Sequence, residues 1–303
     1  MMKFFAPSPN GFVSGGNIFN QQIVKALREL KCKVKYADYN QGWFDASHKE
    51  VLMFDSILVN ELDSDFLKGT VNKKIFLIHL LPSMIGQGQG QEFEKKLLSI
   101  FDLIVVNSKY SNEYITTNFG LHKSVLVNPF IDLPEEFERN PIPGKAIMVA
   151  NWLPAKQIDI FLSILSTKDI PKELKIHILG DNSLDKPYFE KCLSIIKQSE
   201  SLKKSIVLEK PMPHDELWYE FDTAELFIDT SSFETYGMAV AEAVAAKVPV
   251  LTLGNGNVKN LVPRDAICTS MEELIERMIS RKWTPMNTTT ENHEIITEWS
   301  KFK

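Results

Sequence analysis

Leu226-Phe-Ile-Asp-Thr-Ser-Ser-Phe-Glu-Thr-Tyr-Gly-Met-Ala-Val-Ala-Glu-Ala-Val-Ala-Ala246 reads as a strand, a polar loop and a helix in immediate succession. The apolar run 226–228 ends at Asp229, Gly237 supplies a tight turn, and 238–246 is rich in alanine, the strongest helix former. The first helical turn then offers free N–H groups and a positive dipole end to the loop, which suits an anion such as a diphosphate. Glu234 lies in that loop. Glu242 sits just over a turn into the helix, where side chains lean toward the N-terminus, so its carboxylate is expected at the same pocket. A carboxylate accepts hydrogen bonds from two neighbouring hydroxyls, as on a ribose or a hexose. Two glutamates beside one phosphate position therefore suggest sugar on both sides of a diphosphate. The plainer alternative is two surface glutamates flanking an ordinary helix. The strand–loop–glycine–helix frame, followed by Pro249 and an apolar run from Val250 to Leu253, favours the pocket.

Outward from this segment, short apolar runs alternate with helix-like stretches along the chain. The expected strands are 3–7, 34–39, 56–60, 75–80, 103–107 and 125–128, then 146–150, 175–179, 206–209, 226–229, 248–253 and 266–268. Continuous apolar runs this short, spaced by helices, indicate parallel strands buried on both faces. Between the first two, 17–30 places Ile18, Ile23, Ala26, Leu27 and Leu30 on one helical face. The alternation breaks at Leu133-Pro-Glu-Glu-Phe-Glu-Arg-Asn-Pro-Ile-Pro-Gly144, where three prolines and a glycine oppose both helix and strand. The expected fold class is α/β: two Rossmann-like doubly wound parallel-sheet domains facing each other across a cleft, with ligands at the carboxyl ends of the strands. The boundaries are 1–133 for an N-terminal acceptor domain, 134–144 for the linker and 145–285 for a donor domain. A C-terminal helix over 286–303 is expected to pack back on the first domain.

The bulk properties fit. A chain of 303 residues exceeds one ordinary core, and 44% hydrophobic with 24% charged residues is usual for a globular protein. A formal net charge of -5 argues against a nucleic-acid partner. Cys32, Cys192 and Cys268 are odd in number and widely separated, with no metal-ligand spacing, so a reducing cytoplasm is expected. No signal peptide or membrane-spanning segment is evident, and the sequon at Asn287 is read as without consequence.

In these motifs the sequence resembles the family 4 glycosyltransferases of the GT-B fold. Their signature is two glutamates separated by seven residues, as Glu234 and Glu242 are. Gly15-Gly16 before an amphipathic helix is similar to that family's first-domain glycine loop, and Phe76-Leu-Ile-His79 to its strand ending in an active-site histidine. Val105-Val-Asn-Ser-Lys-Tyr110 and Val127-Asn-Pro-Phe-Ile-Asp132 resemble two further recurrent segments. Met148-Val-Ala-Asn-Trp-Leu-Pro-Ala-Lys156, Leu179-Gly-Asp181 and Pro213-His-Asp-Glu-Leu217 follow in the family's order.

The resemblance implies a retaining, metal-independent glycosyltransferase that moves a sugar from a nucleoside diphosphate sugar to a glycan, lipid-linked glycan or protein. No cofactor is implied, because the nucleotide sugar is a co-substrate. Glu242 would hold the ribose hydroxyls and Glu234 those of the transferred sugar. Lys156 would neutralise the diphosphate leaving group, a task that a metal performs in other transferases. Tyr236, Gly237 and Met238, with Gly15 and Gly16, would complete the phosphate cradle. His79 would hydrogen-bond the sugar, and the base would lie near Lys210. The family's usual Arg–Lys pair is incomplete: Asn151 stands where the arginine is expected and would bind the donor through a hydrogen bond, so the diphosphate would be held with one charge fewer.

Three features are read as decoys. Asp63-Ser-Asp65 resembles a metal-binding Asp-x-Asp but follows an early first-domain strand, and a solvated acidic turn is favoured. Gly86-Gln-Gly-Gln-Gly-Gln91 lacks the strand-to-helix setting of a dinucleotide fingerprint and is read as a loop bordering the acceptor. Lys31, Lys33 and Lys35 are expected at a solvated edge, with peripheral contact to acidic lipid as the alternative. Two other functions stay open: a nucleotide-sugar epimerase or a phosphorylase on the same scaffold, and a transferase-like accessory or binding subunit with weak or no activity. The sequence names neither sugar, base, acceptor, linkage nor oligomeric state.

Overall fold

The structure is a computed structural model that describes residues 1–7, 14–37, 49–209 and 212–286. Lys210 and the expected helix beyond Met286 lie outside the described residues. The chain divides into two compact units, the first through Phe130 and the second from Ile131.

In the first unit the elements run β1 (Met2–Phe5), α1 (Gly15–Glu29), β2 (Val34–Ala37), β3 (Val51–Asp55), α2 (Ser64–Gly69), β4 (Lys74–Ile78), α3 (Gln91–Ser99), β5 (Leu103–Val106), α4 (Lys109–Phe119) and β6 (Ser124–Leu126). The strands form one parallel sheet in the order β2-β1-β3-β4-β5-β6. Alternate residues of each strand enter different cores. Phe5, Phe54, Phe76 and Ile104 pack on one face, and Phe4, Met53, Leu77 and Val105 on the other. This is why the strands read as unbroken apolar runs. α1 covers the second face with Phe19, Ile23, Val24 and Leu27, each contributing about 1.5–3 kcal/mol by burial. Its start is set by Ser14, whose side chain accepts a hydrogen bond from Asn17 N at 3.2 Å.

The second unit runs β7 (Lys145–Val149), α5 (Ile158–Leu165), β8 (Lys175–Leu179), α6 (Lys186–Gln198), α7 (Glu200–Ser205), β9 (Ile206–Leu208), α8 (His214–Thr223), β10 (Leu226–Asp229), α9 (Met238–Ala245), β11 (Val250–Thr252) and α10 (Met271–Ile279). Its parallel sheet has the order β11-β10-β7-β8-β9. Ala146, Met148, Ile176, Ile178 and Ile228 face one core, while Ile147 and Phe227 face the other. The fold class is the expected one in each unit: a doubly wound parallel α/β sheet.

Two expected strands are corrected. The strand placed at 56–60 is Val51–Asp55, and Ser56–Leu58 is a turn of 3-10 helix. The cause is Asp55, whose carboxylate accepts from Ile57 N at 2.9 Å and ends the strand, leaving Ile57 57% exposed despite its apolar side chain. The run 266–268 forms only a single bridge, Thr252 with Ile267. Residues 133–144 contain neither helix nor strand, but they are tied to the second unit. Ile142 N donates to Thr223 O at 2.9 Å, Asn140 N to Asp222 Oδ1 at 2.7 Å, and Phe137 packs edge-on against Trp218.

Asp63 is a helix cap. Its Oδ1 accepts from Asp65 N at 2.9 Å and from Phe66 N at 3.2 Å, while Asp65 pairs with Lys68 in solvent. Asp63→Ala is expected to cost about 1 kcal/mol in urea unfolding and to leave nucleotide binding unchanged. Among the described residues, no three His, Cys, Asp or Glu side chains are arranged to hold a metal ion. No described helix is long and apolar enough to cross a membrane.

Candidate functional site

In each sheet the strand order reverses at one place, and the crevice at the carboxyl ends there is where doubly wound folds bind ligands. In the second unit the reversal lies between β7 and β10, which are neighbours although some 80 residues apart. The loop after β7 carries Lys156 and the loop after β10 carries Glu234. Their side chains form an ion pair.

The two loops are stitched together by backbone and hydroxyl contacts. Ser232 N donates to Ala155 O at 2.8 Å, Ser232 Oγ to the same oxygen at 3.0 Å, and Thr230 Oγ1 to Lys156 O at 2.6 Å. Ser231 Oγ adds a hydrogen bond to Glu234 Oε1 at 3.0 Å. Behind the pair, Asp229 closes β10, nearly enclosed and accepting from Thr252 Oγ1 at 2.7 Å. Burial, then the charge of Glu234, raise the Asp229 carboxyl above the ordinary carboxylate range. For Lys156, burial opposes the charge, but the adjacent Glu234 carboxylate, its hydrogen bond and Asp229 outweigh it and raise the ammonium. Lys156 is therefore a fixed cation at neutral pH.

A third loop locks the backbone of Glu234. Asn257 N donates to Glu234 O at 2.8 Å, Asn257 Nδ2 to Tyr236 O at 3.1 Å and Asn255 Nδ2 to Ser231 O at 3.0 Å. Gly256 permits this approach: its φ is +67°, and any Cβ there would overlap the Glu234 carbonyl. α9 starts at Met238 on Gly237, whose φ of +91° is a left-handed conformation that favours glycine. The first turn of α9 thus begins four residues beyond Glu234. Glu242 is 3% exposed, and its charge, after burial, pushes the Tyr236 hydroxyl up to about 12. Met238 is half-buried.

Asn151 is committed to the protein frame: its Oδ1 accepts from Asp181 N at 3.0 Å, joining the loops after β7 and β8. Trp152 beside it is a core residue, edge-on to Phe189 at 5.0 Å. This position contributes no positive charge.

In the first unit the reversal lies between β1 and β3. Gly15 and Gly16 open α1 there, and the imidazole of His79 from the end of β4 stands 3.7 Å from where a Gly16 Cβ would be. His79 Nε2 lies 2.8 Å from Asn20 Oδ1 and 3.4 Å from Asp55 Oδ2, and its backbone N donates to Ser56 Oγ at 2.9 Å. Burial raises the Asp55 carboxyl, but His79, Asn20 and the Ile57 N–H outweigh it and hold it below the usual range.

Within its own unit, then, Lys156 meets Glu234, with the Tyr236–Met238 turn following, and His79 meets Gly16. The sequence reading missed Asp229, Ser231, Gly256 and Asn257 in one unit, and Asn20, Asp55 and Ser56 in the other. The Gly254-Asn-Gly-Asn257 run was a legible turn signal without a legible partner.

Comparison with known proteins bears on this geometry. Residues 132–271 match the family model described as glycosyl transferases group 1, a span lying within the second unit. No curated protein sequence matches the chain. Among solved structures, a sucrose-phosphate synthase from Thermosynechococcus elongatus superposes with TM-score 0.75 at 14% identity, covering 92% of this chain and 88% of that one. HepE of Anabaena, solved with UDP and glucose, gives TM-score 0.75 at 12% identity, covering 99% of this chain and 97% of that one. A pneumococcal O-GlcNAc transferase, GtfA, solved with UDP and GlcNAc, gives 0.63 at 15% identity, covering 86% and 57%. The fold is that of the GT-B glycosyltransferases. With the group 1 domain, it makes the chain a sugar-transferring enzyme, a glycosyltransferase.

Proposed function

We propose that the chain transfers a sugar from a nucleoside diphosphate sugar, with retention of configuration and without a metal ion, to a glycan, lipid-linked glycan or protein. The observation that carries this reading is the Lys156–Glu234 pair at the β7/β10 reversal, ahead of the α9 N-terminus. An ammonium and a helix N-terminus together suit a diphosphate, and a carboxylate beside them suits the hydroxyls of the attached sugar. The solved neighbours HepE and GtfA each hold UDP with a sugar, which supports a nucleotide-sugar donor here.

In the proposed reaction the C1–O bond to the diphosphate breaks and the acceptor oxygen bonds C1 on the same face. The acceptor proton passes to the departing diphosphate. Lys156 holds the negative charge that develops on the leaving oxygen, the role that makes a metal dispensable. Glu234 exchanges its ammonium partner for sugar hydroxyls, Glu242 serves the ribose, and Tyr236–Met238 lines the phosphates. Three free cysteines, two of them buried, support a cytoplasmic setting.

The test is transfer from UDP-glucose and other common donors in excess EDTA, with the product linkage read by proton NMR. Transfer should persist with the chelator, and the product should keep the donor's anomeric configuration. An inverted product would overturn the stereochemical claim, and full inhibition by EDTA the metal-free one. A second reading, a transferase-like subunit that binds donor without turning it over, is favoured by Asn151, which adds no charge to the pocket. Donor binding without transfer to any acceptor would select it, and a sugar altered with no acceptor present would select an epimerase.

A further inference from the structure

Asp229 is a buried carboxyl for which the proposed reaction has no task. It closes β10, is 7% exposed, and has both oxygens held: Oδ1 accepts from Ser231 N at 3.2 Å and Oδ2 from Thr252 Oγ1 at 2.7 Å. Ser231 also places its hydroxyl on Glu234 Oε1 at 3.0 Å, so a single serine stands between two carboxyl groups. Thr252 carries the connection the other way. Its Oγ1 accepts from Gly254 N at 3.0 Å, at the start of the loop whose Asn257 fixes the Glu234 backbone. Asp229 thus ties the Glu234 loop to the loop that locks it.

The charges around it do not balance. Among the described residues, Lys156 from the loop after β7 and Glu234 from its own loop are the charged groups that act on Asp229, while β11 presents the neutral Thr252. With both carboxyls ionised, the cluster is already net negative. A nucleotide sugar adds the charge of its diphosphate, and in the proposed complex it also takes the ammonium away from Glu234. Burial and the neighbouring Glu234 already hold the Asp229 carboxyl above the ordinary range, and the diphosphate acts in the same direction.

We propose that Asp229 is a positioning residue that serves as a neutral acid: the donor binds together with one proton from solvent, which bonds to an Asp229 carboxylate oxygen. The inference rests on the proposed function for its ligand. The proton belongs on Asp229 and not on Glu234, because Glu234 must stay ionised to accept from sugar hydroxyls. A neutral Asp229 keeps both loops in place. One oxygen still accepts from Ser231 N, and the O–H points to Thr252, whose hydroxyl oxygen has a second acceptor position beside the Gly254 N–H. The sign of the linkage follows. Affinity for the donor is full where Asp229 is protonated, and above that pH it falls by about tenfold per unit.

The test is calorimetric titration of the full chain with UDP-glucose, GDP-glucose and ADP-glucose, whose diphosphate diesters exchange no proton near neutrality. The tightest of them is followed from about pH 5, above the ordinary carboxylate range, to about pH 8.5. Wild-type affinity should fall by about tenfold per unit over the upper part of this range, where two buffers of different ionisation enthalpy should show about one proton taken up per donor bound. Asp229→Asn, a neutral isostere, should give a flat profile, no proton uptake and tighter binding than the wild type at the alkaline end. A merely structural Asp229 gives a different result, a variant weakened equally at every pH. That result, a flat wild-type profile, or uptake that persists in the variant would each overturn the inference. If Asp229→Asn does not fold, the wild-type proton count still decides, with 13C-labelled aspartate carboxyls showing whether an aspartate takes the proton. Failure of the functional reading looks different: no donor would bind at any pH, whereas failure of this inference alone leaves binding that no proton accompanies.

Discussion

Lys156→Ala lowers kcat for transfer from a nucleoside diphosphate sugar by about 10²–10³-fold, the effect of removing a preorganised charge from the leaving group. The magnitude follows from the surroundings. Lys156 is the cation placed between the β7 and β10 loops, and Asn151, engaged with the Asp181 backbone, does not supplement it. A conservative Lys156→Arg keeps charge but not shape, and is expected to recover only part of the rate. The same site fixes the sign of the pH dependence. Glu234 and Asp229 raise the lysine above its unfolded value of about 10.4 despite burial, so the charge persists through neutral and mildly alkaline pH. The stability this pairing gives is fully present below that unfolded value and is lost as pH rises through the higher folded one. Steady-state rates and an alkaline unfolding series on wild type and Lys156→Ala check both statements. A loss of rate under about threefold would remove Lys156 from the mechanism.

Gly256→Ala destabilises the protein by about 2–4 kcal/mol, from a side chain forced into a left-handed conformation and a carbonyl that must move aside. The displaced carbonyl is that of Glu234, so the damage does not stay in the loop: the Asn257–Glu234 hydrogen bond breaks, and the carboxylate leaves its place beside Lys156. Weaker binding of the nucleotide sugar should accompany the loss of stability. Gly69→Ala is the control. Gly69 ends α2 with nothing within 4 Å of its missing Cβ, and its substitution should be neutral or mildly stabilising. Urea unfolding of the two variants measures the difference, and equal stabilities would mean that the tight approach at Gly256 is not needed.

The sheets were legible because burial on both faces leaves a mark that a single sequence can show: Phe-Leu-Ile at 76–78 or Leu-Phe-Ile at 226–228 admits little else. The misplaced strand shows where this signal fails. Ile57-Leu-Val has the composition of a strand, but the neighbouring run 51–54 is buried and the Asp55 side chain turns the chain before Ile57 can follow. Glu234 and Gly237 were legible for a related reason, since strand, loop, glycine and helix are adjacent in sequence. Lys156 was named only through the family resemblance, and its pairing with Glu234 was not legible. Lys156 reaches it only because β7 and β10 are neighbours, a fact of strand order that no local pattern carries. Asp55 and Asn20 escaped in the same way: each is unremarkable alone, and their meaning arises when α1, β3 and β4 bring them to His79. Gly256 carried a turn signal, but the reason for it is a carbonyl 22 residues earlier.

The most direct test of the central claim is calorimetric titration of the wild type, Lys156→Ala and Glu234→Ala with UDP, GDP and ADP and with their common sugars. The wild type should bind at least one nucleoside diphosphate saturably. This binding should be weakened by about tenfold or more in Lys156→Ala, and Glu234→Ala should weaken the nucleotide sugar more than the bare nucleotide. No binding of any nucleotide, or binding that both variants leave unchanged, would contradict that claim.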